Sequence, residues 1–521
     1  MTLYQALSGS KKDCPLTLRK HIRPEDIHDK ITVKSVEDEL PPTWWEQLIP
    51  CWDRQLEQKV QRASRVIAIL VLLDKHDRIG PLLRDGLIDD HLPLVRDGDC
   101  LRSHCGAKSF KLFSTSHGYG GFADMFLETQ WVVRAPILDF ETSNSIIPHI
   151  HLEPSATLPL DCTEVGTTAY SVVYKATPWP LHYKGIKVQP HGKVCMAVKQ
   201  FKVASKDNPN AYYHEELANL KQVQKFEHEH LNIPLAYCDQ ARSIFFPWAD
   251  GGDLWKFWEA NNPQKLERTS DTFLWALRQI TGLTRALELI HEDNTRHGDL
   301  KPSNILHFTG GATKLGILKI ADFGVSRTHK IATGLRQSAT ITKASTIMYE
   351  APEAHNFFGN RQSRSRKYDC WSMGCIMLEF VMWLLYDSTA ISNCMTKREP
   401  PYQEYYRPIA GVDAANHAIE DAMEVHPIVI DAVEEMKDHI WFKGTAMGDI
   451  VTLVTSNLLR IKPEERLGAG DTHQRLQTIL SAAQDNLSPF TKKVDPKLPV
   501  PPLFSQPAKK PLIQATYQQH P

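Results

Sequence analysis

Two short polar motifs in the second half of the chain constrain its fold and its chemistry more than any other feature. The chain reads HGDLKPSN up to Asn304, and the triplet DFG begins eighteen residues later at Asp322. Asp299 could accept the proton of a substrate hydroxyl, and Lys301 could neutralise charge on a transferred phosphate. Asn304 and Asp322 offer oxygen ligands that could hold metal ions against nucleotide phosphates. Together the motifs predict a site for phosphoryl transfer.

The length and composition predict a folded protein with more than one structural unit. A chain of 521 residues is longer than one ordinary hydrophobic core supports, so two or three units are expected. Its 42% hydrophobic and 23% charged residues are typical of globular proteins. The 60 Lys and Arg residues against 61 Asp and Glu leave a formal net charge of -1. This balance gives no general reason to expect nucleic acid or an acidic membrane as the main partner.

The cysteines and the apolar runs predict an intracellular location. The 10 cysteines are dispersed and form no CxxC pair, so free thiols in a reducing compartment are expected. The N-terminus lacks the apolar segment of a signal peptide. The most apolar run, residues 66–73, is far shorter than the about 20 residues of a membrane-spanning helix, so it is predicted to be a buried helix. We expect the protein in the cytoplasm rather than the nucleus, with no membrane partner.

Residues 1–150 are predicted to form an accessory, mostly helical region. Residues 43–46 fit a helix-capping box, and helical spacing of apolar residues continues in pieces beyond it, with a break at Gly80-Pro81. Residues 100–130 are rich in Gly, Ser and aromatic side chains and predict loops. Residues 131–138 are predicted to form a strand, which the proline within it would confine to a sheet edge. The pattern indicates no function for this region.

The rest of the chain divides into a β-rich part, a helical part and a tail. Strands are predicted at residues 158–165, 172–175, 194–201 and 243–246, with one helix at 212–226. Residues 253–487 are predicted to be mostly helical. Residues 488–521 are rich in Pro and then in Gln and Lys without periodicity, which predicts an extended or disordered tail.

Residues 159–487 resemble a eukaryotic-type protein kinase domain, because a series of short motifs follows the order known from that family. The HGDLKPSN and DFG motifs are similar to its catalytic loop and its metal-binding triplet. The resemblance implies an α+β, bilobal protein kinase-like fold. A small β-rich N-lobe is expected at 159–252 and a large helical C-lobe at 253–487, preceded by the mostly helical N-terminal region.

Residues 165–175 resemble the glycine-rich loop of that family with only its first glycine kept. Gly166 occupies that position, while Thr168 and Ser171 occupy the positions of the other two glycines. In the family, glycine lets the backbone approach the nucleotide phosphates closely. The loop is therefore expected to be stiffer here. Val173 fits the position that covers the adenine ring.

The nucleotide-binding lysine of the family also has a counterpart. Ala197-Val-Lys199 is similar to the strand motif whose lysine pairs with the α- and β-phosphates of ATP. The glutamate that orients this lysine is expected on the next helix, where Glu216 matches it and Glu215 is the competing candidate. The spacing to the following leucines favours Glu216.

The segment from Ser243 to Leu254 resembles the family's gatekeeper and hinge. By register, Phe246 is the gatekeeper, Ala249 presents its backbone to adenine and Asp253 reaches the ribose. Pro247 lacks a backbone N–H, but the family usually takes the adenine hydrogen bond from the position of Ala249, so adenine recognition is expected to survive.

Three later motifs support the resemblance. Residues 345–353 are similar to the end of the activation segment, in which Thr346 fits the position that contacts the catalytic Asp and Lys of Ser/Thr kinases. Asp369 begins a motif similar to the central helix, whose aspartate holds the catalytic loop. Arg466 matches the buried arginine that pairs with Glu353. In the family, Asp369, Glu353 and Arg466 are structural positions.

The chain departs from the family at Gly298, which stands where many kinases have an arginine that pairs with a phosphorylated activation-loop residue. The hypothesis is that activity does not require phosphorylation of the loop, whose candidate sites are Thr333, Ser338, Thr340 and Thr342. Two stretches, 176–193 and 386–425, are longer than usual. A regulatory partner could bind through residues 1–150 or through the 386–425 insertion.

The resemblance implies three alternative functions. The favoured one is an ATP-dependent protein kinase that uses Mg²⁺, phosphorylates Ser/Thr hydroxyls of protein substrates and has Asp299 as catalytic base. A pseudokinase or scaffold that binds nucleotide or partners is the alternative, because the glycine-rich loop is degenerate. A small-molecule kinase is disfavoured, because the segment ending at Glu353 builds the peptide-docking element that such enzymes generally lack.

Overall fold

The computed structural model describes most of the chain in segments. They are residues 2–39, 56–106, 108–114, 121–141, 146–186, 194–204, 208, 210–262, 270–310, 313–323, 347–354, 365–398, 402–409, 422–439, 442–485 and 503–504. The chain divides into two units. The first unit is Met1–Tyr213 with Leu235–Phe246, and the second is His214–Pro234 with Pro247–Pro521. The accessory region and the predicted small-lobe strands therefore belong to one unit. The domain bounds drawn from the motifs stay a prediction.

The described part of the accessory region is mostly helical, as predicted. Its helices are α1 Leu3–Gly9, α2 Pro24–Lys30, α3 Val33–Glu39, α4 Leu56–Arg62, α5 Ser64–Leu72, α6 Ile79–Arg84 and α7 Phe122–Val133. Its strands are β1 Lys12–Cys14, β2 Arg19–His21, β3 Leu94–Asp97, β4 Cys100–Ser103, β5 Ser109–Phe110 and β6 Leu138–Asp139. Helix α5 carries the long apolar run and is buried at the centre of the region's own hydrophobic core, so the predicted buried helix is confirmed.

Three local predictions for this region were wrong. Residues 100–130 are not loops throughout, because they contain β4, β5 and most of α7. Residues 131–138 are not one strand, because Trp131–Val133 end α7 and only Leu138 enters a strand. Packing overrides the β propensity of the valines, since α7 buries Phe122, Phe126 and Val133 at helical spacing. Gly80-Pro81 does not break a helix but lies in the first turn of α6, where proline removes no intrahelical hydrogen bond.

A five-stranded antiparallel sheet occupies the rest of the first unit, and it confirms the predicted strands. It comprises β7 Leu160–Thr167, β8 Ser171–Pro178, β10 Met196–Phe201, β11 Ala236–Cys238 and β12 Ser243–Pro247, in the order β11-β12-β10-β8-β7. Strand β9, Tyr183–Lys184, lies outside this sheet and pairs in parallel with β6 of the accessory region. Strands β7 and β11 form the two edges.

The second unit is mostly helical, as predicted. Helix α8, Ala211–Val223, begins at the end of the first unit and continues into the second. The helices that follow are α9 Leu254–Ala260, α10 Ser270–Glu292, α11 Lys367–Leu385, α12 Ser388–Lys397, α13 Pro427–Lys437, α14 Ala446–Leu453 and α15 Ala469–Asp485. The strands form two hairpin pairs, β13 Ile305–Phe308 with β14 Ile317–Ile320 and β15 Tyr406–Pro408 with β16 Met423–Val425.

Helix α11 is the central helix of this unit. It is the one helix of the described residues that is long and apolar enough to cross a membrane by length and composition, but it is buried along its whole apolar length inside the protein. Two residues of the predicted tail are also described. Leu503 is buried, and the backbone N–H of Phe504 donates to both carboxylate oxygens of Glu435 at 2.8 Å. These two residues of the predicted tail therefore lie against α13.

Candidate active site

The HGDLKPSN segment brings three of the predicted site residues into direct contact. Nζ of Lys301 lies 2.9 Å from Oδ2 of Asp299, and this ion pair is largely shielded from solvent. Nδ2 of Asn304 donates to the backbone oxygen of Asp299 at 2.7 Å and to its Oδ2 at 3.1 Å. Because the amide nitrogen faces Asp299, the amide oxygen is the end of Asn304 that can bind a metal ion.

A buried carboxylate fixes the backbone of this segment. Asp369 accepts the N–H groups of His297 and Gly298, each at 2.8 Å, and Nε2 of His291 lies 2.9 Å from its Oδ2. Burial by itself raises the pKa of the Asp369 carboxyl, but contacts with His291, His297 and the N–H of Gly298 outweigh it, so the pKa lies below its ordinary value. Asp369 therefore holds the loop that carries Asp299, which is the role predicted for it.

The DFG aspartate follows strand β14 in a backbone conformation that non-glycine residues seldom adopt. Asp322 has a φ of 67°, and its side chain is exposed. The residues on either side hold it there. Phe323 is buried with its ring edge-on to His297, and its backbone oxygen accepts Nδ2 of Asn219 at 2.9 Å. Nε2 of His297 lies 2.9 Å from the backbone oxygen of Ala321. Such a conformation is typical of functional sites.

The predicted nucleotide-binding residues of the sheet form one row. Gly166 pairs with Val173 across β7 and β8, and Val173 pairs with Lys199 across β8 and β10. Cross-strand partners share a face of the sheet, so these three residues lie side by side. Ala197 precedes Lys199 by two positions and lies on the same face. The ammonium group of Lys199 lies 5.4 Å from the centre of the Phe201 ring.

The tip of the β7–β8 hairpin is closed by its own hydrogen bonds. The hydroxyl of Thr168 accepts the N–H groups of Tyr170 at 3.2 Å and of Ser171 at 3.0 Å. The N–H of Thr168 donates to the backbone oxygen of Ser171 at 2.8 Å. Three backbone donors of the tip are therefore engaged within the tip, so that they are not presented to a phosphate. This gives the expected stiffness of the loop a structural cause.

Burial distinguishes the two glutamates that compete for the role of lysine partner. Both lie on α8, but Glu216 is 3% exposed while Glu215 is only partly buried. A buried carboxylate requires an ionic or hydrogen-bonding partner, and this need favours Glu216 for a role in an ion pair.

The hinge residues lie between strand β12 and helix α9. Phe246 is buried at the end of β12, and Ala249 is partly exposed in the link. Asp253 is the N-cap of α9, where its Oδ1 accepts the N–H of Lys256 at 2.9 Å. A ribose contact through its other oxygen stays a prediction. Gly251 lies so close to the His307 ring that any side chain would clash with it.

Sequence comparison decides the family. The family model described as the protein kinase domain matches residues 163–475, which is more than half of the chain. The chain belongs to the protein kinase family. The matched range includes the hairpin tip, the Lys199 strand, the Asp299 loop and the DFG segment, so the family's fold, with its β-rich and helical lobes, agrees with the two kinds of architecture described above.

The kinase is similar to several cyclin-dependent kinases of the eukaryotic Ser/Thr type. It is 29% identical over 227 residues to cyclin-dependent kinase 4 of Ovis aries, a match that covers 42% of this chain and 65% of that relative. It is 27% identical over 227 residues to probable cyclin-dependent kinase 8 of Dictyostelium discoideum, of which 53% is covered. Cyclin-dependent kinase E-1 of Arabidopsis thaliana is 29% identical over 231 residues, with 43% of it covered. The matches thus span less than two thirds of these relatives.

The structural ion pair expected of the kinase is present. Nη1 and Nη2 of Arg466 donate to Oε1 and Oε2 of Glu353, both at 2.7 Å, in a two-pronged arrangement that excludes solvent from the guanidinium. Several other predictions fall outside the described residues. These concern the capping box at 43–46, Gly324, the loop with Thr333, Ser338, Thr340 and Thr342, and Thr346.

Sequence reasoning missed two features of the site. Asn219, which holds the backbone of Phe323, belongs to no motif, although its position three residues after Glu216 puts it on the same side of α8. The second feature is a buried cluster around Glu379 of α11. Glu379 accepts hydrogen bonds from the hydroxyls of Tyr349 and Tyr405, and Tyr405 lies in the 386–425 insertion.

Proposed function

We propose that the chain is an ATP-dependent protein kinase that transfers the γ-phosphate of ATP to Ser or Thr hydroxyls of protein substrates. The observation that carries the proposal is the contact among Asp299, Lys301 and Asn304 on a loop held by Asp369. A carboxylate, an ammonium and a metal-binding amide oxygen side by side are the groups that phosphoryl transfer uses.

Each residue of this contact has a separate part in the proposed reaction. The substrate hydroxyl oxygen forms a new bond to the γ-phosphorus, the bond from that phosphorus to the β–γ bridging oxygen breaks, and ADP leaves. Asp299 orients the hydroxyl and receives its proton. Lys301, 2.9 Å from Asp299, places a positive charge where the transferred phosphoryl oxygens would lie.

The residues present fit a magnesium ion. Asn304 directs its amide oxygen away from Asp299, and Asp322 supplies a solvent-accessible carboxylate, so both offer the hard oxygen ligands that Mg²⁺ prefers. An ion held by these two residues would supply positive charge against the phosphates of ATP. Dependence on ATP and a divalent metal is general in the family, and the assignment of these two ligands is our proposal.

The proposed nucleotide-binding residues are the row on the sheet together with residues from α8 and the hinge. Lys199 pairs with the phosphates and is oriented by Glu216. Gly166, Val173, Ala197, Phe246, Ala249 and Asp253 line the nucleotide site. The support is the shared face of Gly166, Val173 and Lys199 in the strand register and the burial of Glu216.

Specificity for Ser and Thr rather than Tyr is proposed from the catalytic loop. Lys301 two residues after Asp299 and Thr346 in the activation segment fit that class.

The relatives named above are cyclin-dependent by name, so a regulatory protein partner is also proposed for this kinase, through residues 1–150 or the 386–425 insertion. A cytoplasmic location is proposed as well, and the described cysteines, all of them free thiols, are consistent with a reducing compartment.

A pseudokinase or scaffold is the second candidate, and one observation favours it. The N–H groups of Thr168, Tyr170 and Ser171 donate hydrogen bonds within the hairpin tip. They are therefore not available to bind nucleotide phosphates. The intact contacts of Asp299, Lys301 and Asn304 favour catalysis instead. Slow turnover with a high KM for ATP would reconcile both observations.

Phosphate transfer to a generic Ser/Thr protein substrate with Mg²⁺-ATP tests the proposal. Asp299→Asn and Lys199→Met should each lower the rate at least about a hundredfold, because one removes the proton acceptor and the other the phosphate contact. Asp271→Asn, the same change on an exposed residue in the first turn of α10, is the matched control and should keep the wild-type rate. Wild-type activity no higher than that of Asp299→Asn would favour the scaffold, and phosphotyrosine in the product would overturn the Ser/Thr assignment.

A further inference from the structure

The sheet that carries Lys199 is covered on its other face by the accessory region. In strands β8 and β10, Tyr174, Met196 and Val198 alternate with the row of predicted nucleotide-binding residues and therefore point to the opposite face. These three side chains are buried in a shared hydrophobic cluster with accessory residues. The accessory members of this cluster include Cys14, Leu16, Leu138, Phe140 and Ile150. The sheet thus has its nucleotide face on one side and the accessory region on the other.

A hydrogen bond joins the accessory region to the residue next to Lys199. Nε2 of Gln200 donates to the backbone oxygen of Leu16 at 2.6 Å, in the turn between β1 and β2, and also lies 3.3 Å from the backbone oxygen of Ala241. Gln200 follows Lys199 on β10, so the bond ties the strand to the accessory region directly beside the lysine. A donor held by two backbone acceptors has little freedom to reorient.

The accessory region also contacts the sheet at its β11 edge. The segment 146–152 runs parallel to β11. There the N–H of Ile150 donates to the backbone oxygen of Tyr237 at 2.8 Å, and the N–H of Tyr237 donates to the backbone oxygen of Pro148 at 3.0 Å. The ring of His149 stacks on that of Tyr237, with centroids 4.5 Å apart and planes 6° apart. This isolated bridge pairs backbone groups of Tyr237 that an edge strand would otherwise expose.

From this edge, a polar chain reaches the first turn of helix α8. Nε2 of His149 lies 3.0 Å from Oδ2 of Asp239, in the turn between β11 and β12. The other oxygen of Asp239 accepts the hydroxyl of Tyr213 at 2.7 Å, and Tyr213 is buried. Tyr213 is one helical turn before Glu216 on α8. The contacts from His149 through Asp239 to Tyr213 therefore hold the part of the helix that precedes the glutamate.

We propose that the accessory residues around Leu16 and His149 are positioning elements of the nucleotide site, acting through Gln200 on Lys199 and through Asp239 and Tyr213 on helix α8. The inference rests on the proposed function, because it assigns to residues 1–150 the positioning of Lys199, proposed to bind the ATP phosphates, and of Glu216, proposed to orient that lysine. It gives the accessory region a role within the same chain.

The physical reason lies in what each group must do. A lysine ammonium and its orienting glutamate act on a phosphate only when both are held within a narrow geometry, and their positions depend on the strand and the helix that carry them. Loosening either element spreads the lysine over many positions and weakens nucleotide binding. If the accessory region only stabilised the fold, weakening its contacts would lower Tm and leave the nucleotide affinity unchanged.

The first test compares two glutamines in the full-length chain, the half-buried Gln200 and the buried Gln130. Gln200→Met removes the bond to Leu16, while Gln130→Met removes the two side-chain bonds that Gln130 makes with the backbone of Leu94 in the accessory core. The readouts are Tm, the Kd of a fluorescent ATP analogue with Mg²⁺, and the KM values for ATP and for protein substrate. We expect Gln200→Met to raise the Kd and the KM for ATP about fivefold, and Gln130→Met to lower Tm with less than about a twofold change in either.

The second test uses milder changes that preserve the fold. Tyr213→Phe removes only the hydroxyl bound by Asp239, and Tyr4→Phe is the same change on an exposed residue of α1. His149→Phe keeps a ring to stack on Tyr237 but removes the nitrogen near Asp239. Tyr213→Phe is expected to raise the Kd for the ATP analogue about fivefold and His149→Phe about threefold, whereas Tyr4→Phe leaves it unchanged.

The results separate this inference from the proposed function. If wild type binds the ATP analogue but transfers no phosphate, the proposed function fails while the Kd values still decide the inference. If Gln200→Met and Tyr213→Phe lower Tm but keep the Kd within about twofold of wild type, the accessory region is only structural and the inference is overturned. A wild-type chain that binds no nucleotide would overturn both.

Discussion

The hydroxyl of Tyr405 donates a 2.7 Å hydrogen bond to Oε1 of Glu379, and both residues are buried in the second unit. Glu379 also accepts the hydroxyl of Tyr349, which lies in the segment that ends the activation loop. The guanidinium of Arg398 stacks 4.1 Å above the Tyr405 ring and is fully buried. The insertion thus supplies one hydrogen-bond donor to Glu379, and the segment proposed to dock protein substrate supplies another through Tyr349.

Removing the Tyr405 hydroxyl should affect protein substrate rather than ATP. Tyr405→Phe leaves Glu379 with one hydrogen-bond donor fewer in a buried site, which costs about 1–3 kcal/mol and loosens Tyr349. We expect the KM for protein substrate to rise about fivefold while the KM for ATP stays constant. Steady-state kinetics with each substrate varied in turn measures both. Tyr402→Phe, in the same insertion, is the control, and an equal rise in both KM values would contradict this assignment.

The same cluster predicts a pH dependence of stability. Burial raises the pKa of Glu379 to about 7 from an ordinary value of 4.5, against the opposing effects of Tyr405, Arg398 and Tyr349. Because the folded state holds the proton more tightly, this contribution to stability is fully present below pH 4.5 and is lost as pH rises to about 7. The loss amounts to at most about 3 kcal/mol.

A glutamine in place of the carboxyl separates this effect from other titrating groups. In urea unfolding between pH 5 and about 8, wild type should lose stability with rising pH more steeply than Glu379→Gln does. The difference between the two slopes is the measured quantity, so the titration of histidines elsewhere cancels. Equal slopes for the two proteins would show that Glu379 keeps an ordinary pKa.

Restoring a glycine at the hairpin tip should improve ATP binding. Thr168→Gly removes the hydroxyl that engages the N–H groups of Tyr170 and Ser171, and it frees them for phosphate oxygens. We expect the KM for ATP to fall about threefold to tenfold. Thr168→Ser keeps the hydroxyl and is the matched control. A KM for ATP that is the same in Thr168→Gly and wild type would mean that the tip donors do not limit binding.

The parts of this kinase that could be predicted from sequence are those encoded locally. Strands with alternating or continuous apolar residues, the catalytic loop and its anchor Asp369 follow from short motifs whose spacing has one physical solution. Helix α7 was missed because its valines favour strands. What favours the helix is the packing of its buried residues, such as Phe126, against Phe113.

Contacts between distant parts of the chain could not be predicted where no family motif encodes them. The contacts of Leu16 with Gln200, of His149 with Asp239 and of Tyr405 with Glu379 join residues with no shared motif. Each member looks like an ordinary polar or apolar residue in its own segment. Their partners are set by the packing of whole elements, which a local pattern does not encode.

The backbone at Gly298 predicts the effect of installing a side chain there. Gly298 has a φ of 79°, which side chains disfavour, and its N–H is fixed by Asp369. Gly298→Ala should therefore lower the free energy of unfolding by about 1 kcal/mol, as measured by urea unfolding. Gly9→Ala is the control, since Gly9 ends helix α1 without a positive φ and its added methyl group meets open space. An unchanged stability in Gly298→Ala would show that the loop relaxes around the side chain.

Gly298 also predicts that the kinase is active without phosphorylation of its activation loop. An arginine at this position could pair with a phosphorylated loop residue, whereas glycine has no side chain with which to do so. Changing Thr333, Ser338, Thr340 and Thr342 together to Ala should leave kcat within about threefold of wild type, measured on the full-length chain after phosphatase treatment. Loss of activity in the quadruple variant, with its Tm and nucleotide affinity unchanged, would contradict the prediction. Wild-type activity that phosphatase abolishes would contradict it as well, because control would then depend on a phosphate that Gly298 cannot bind.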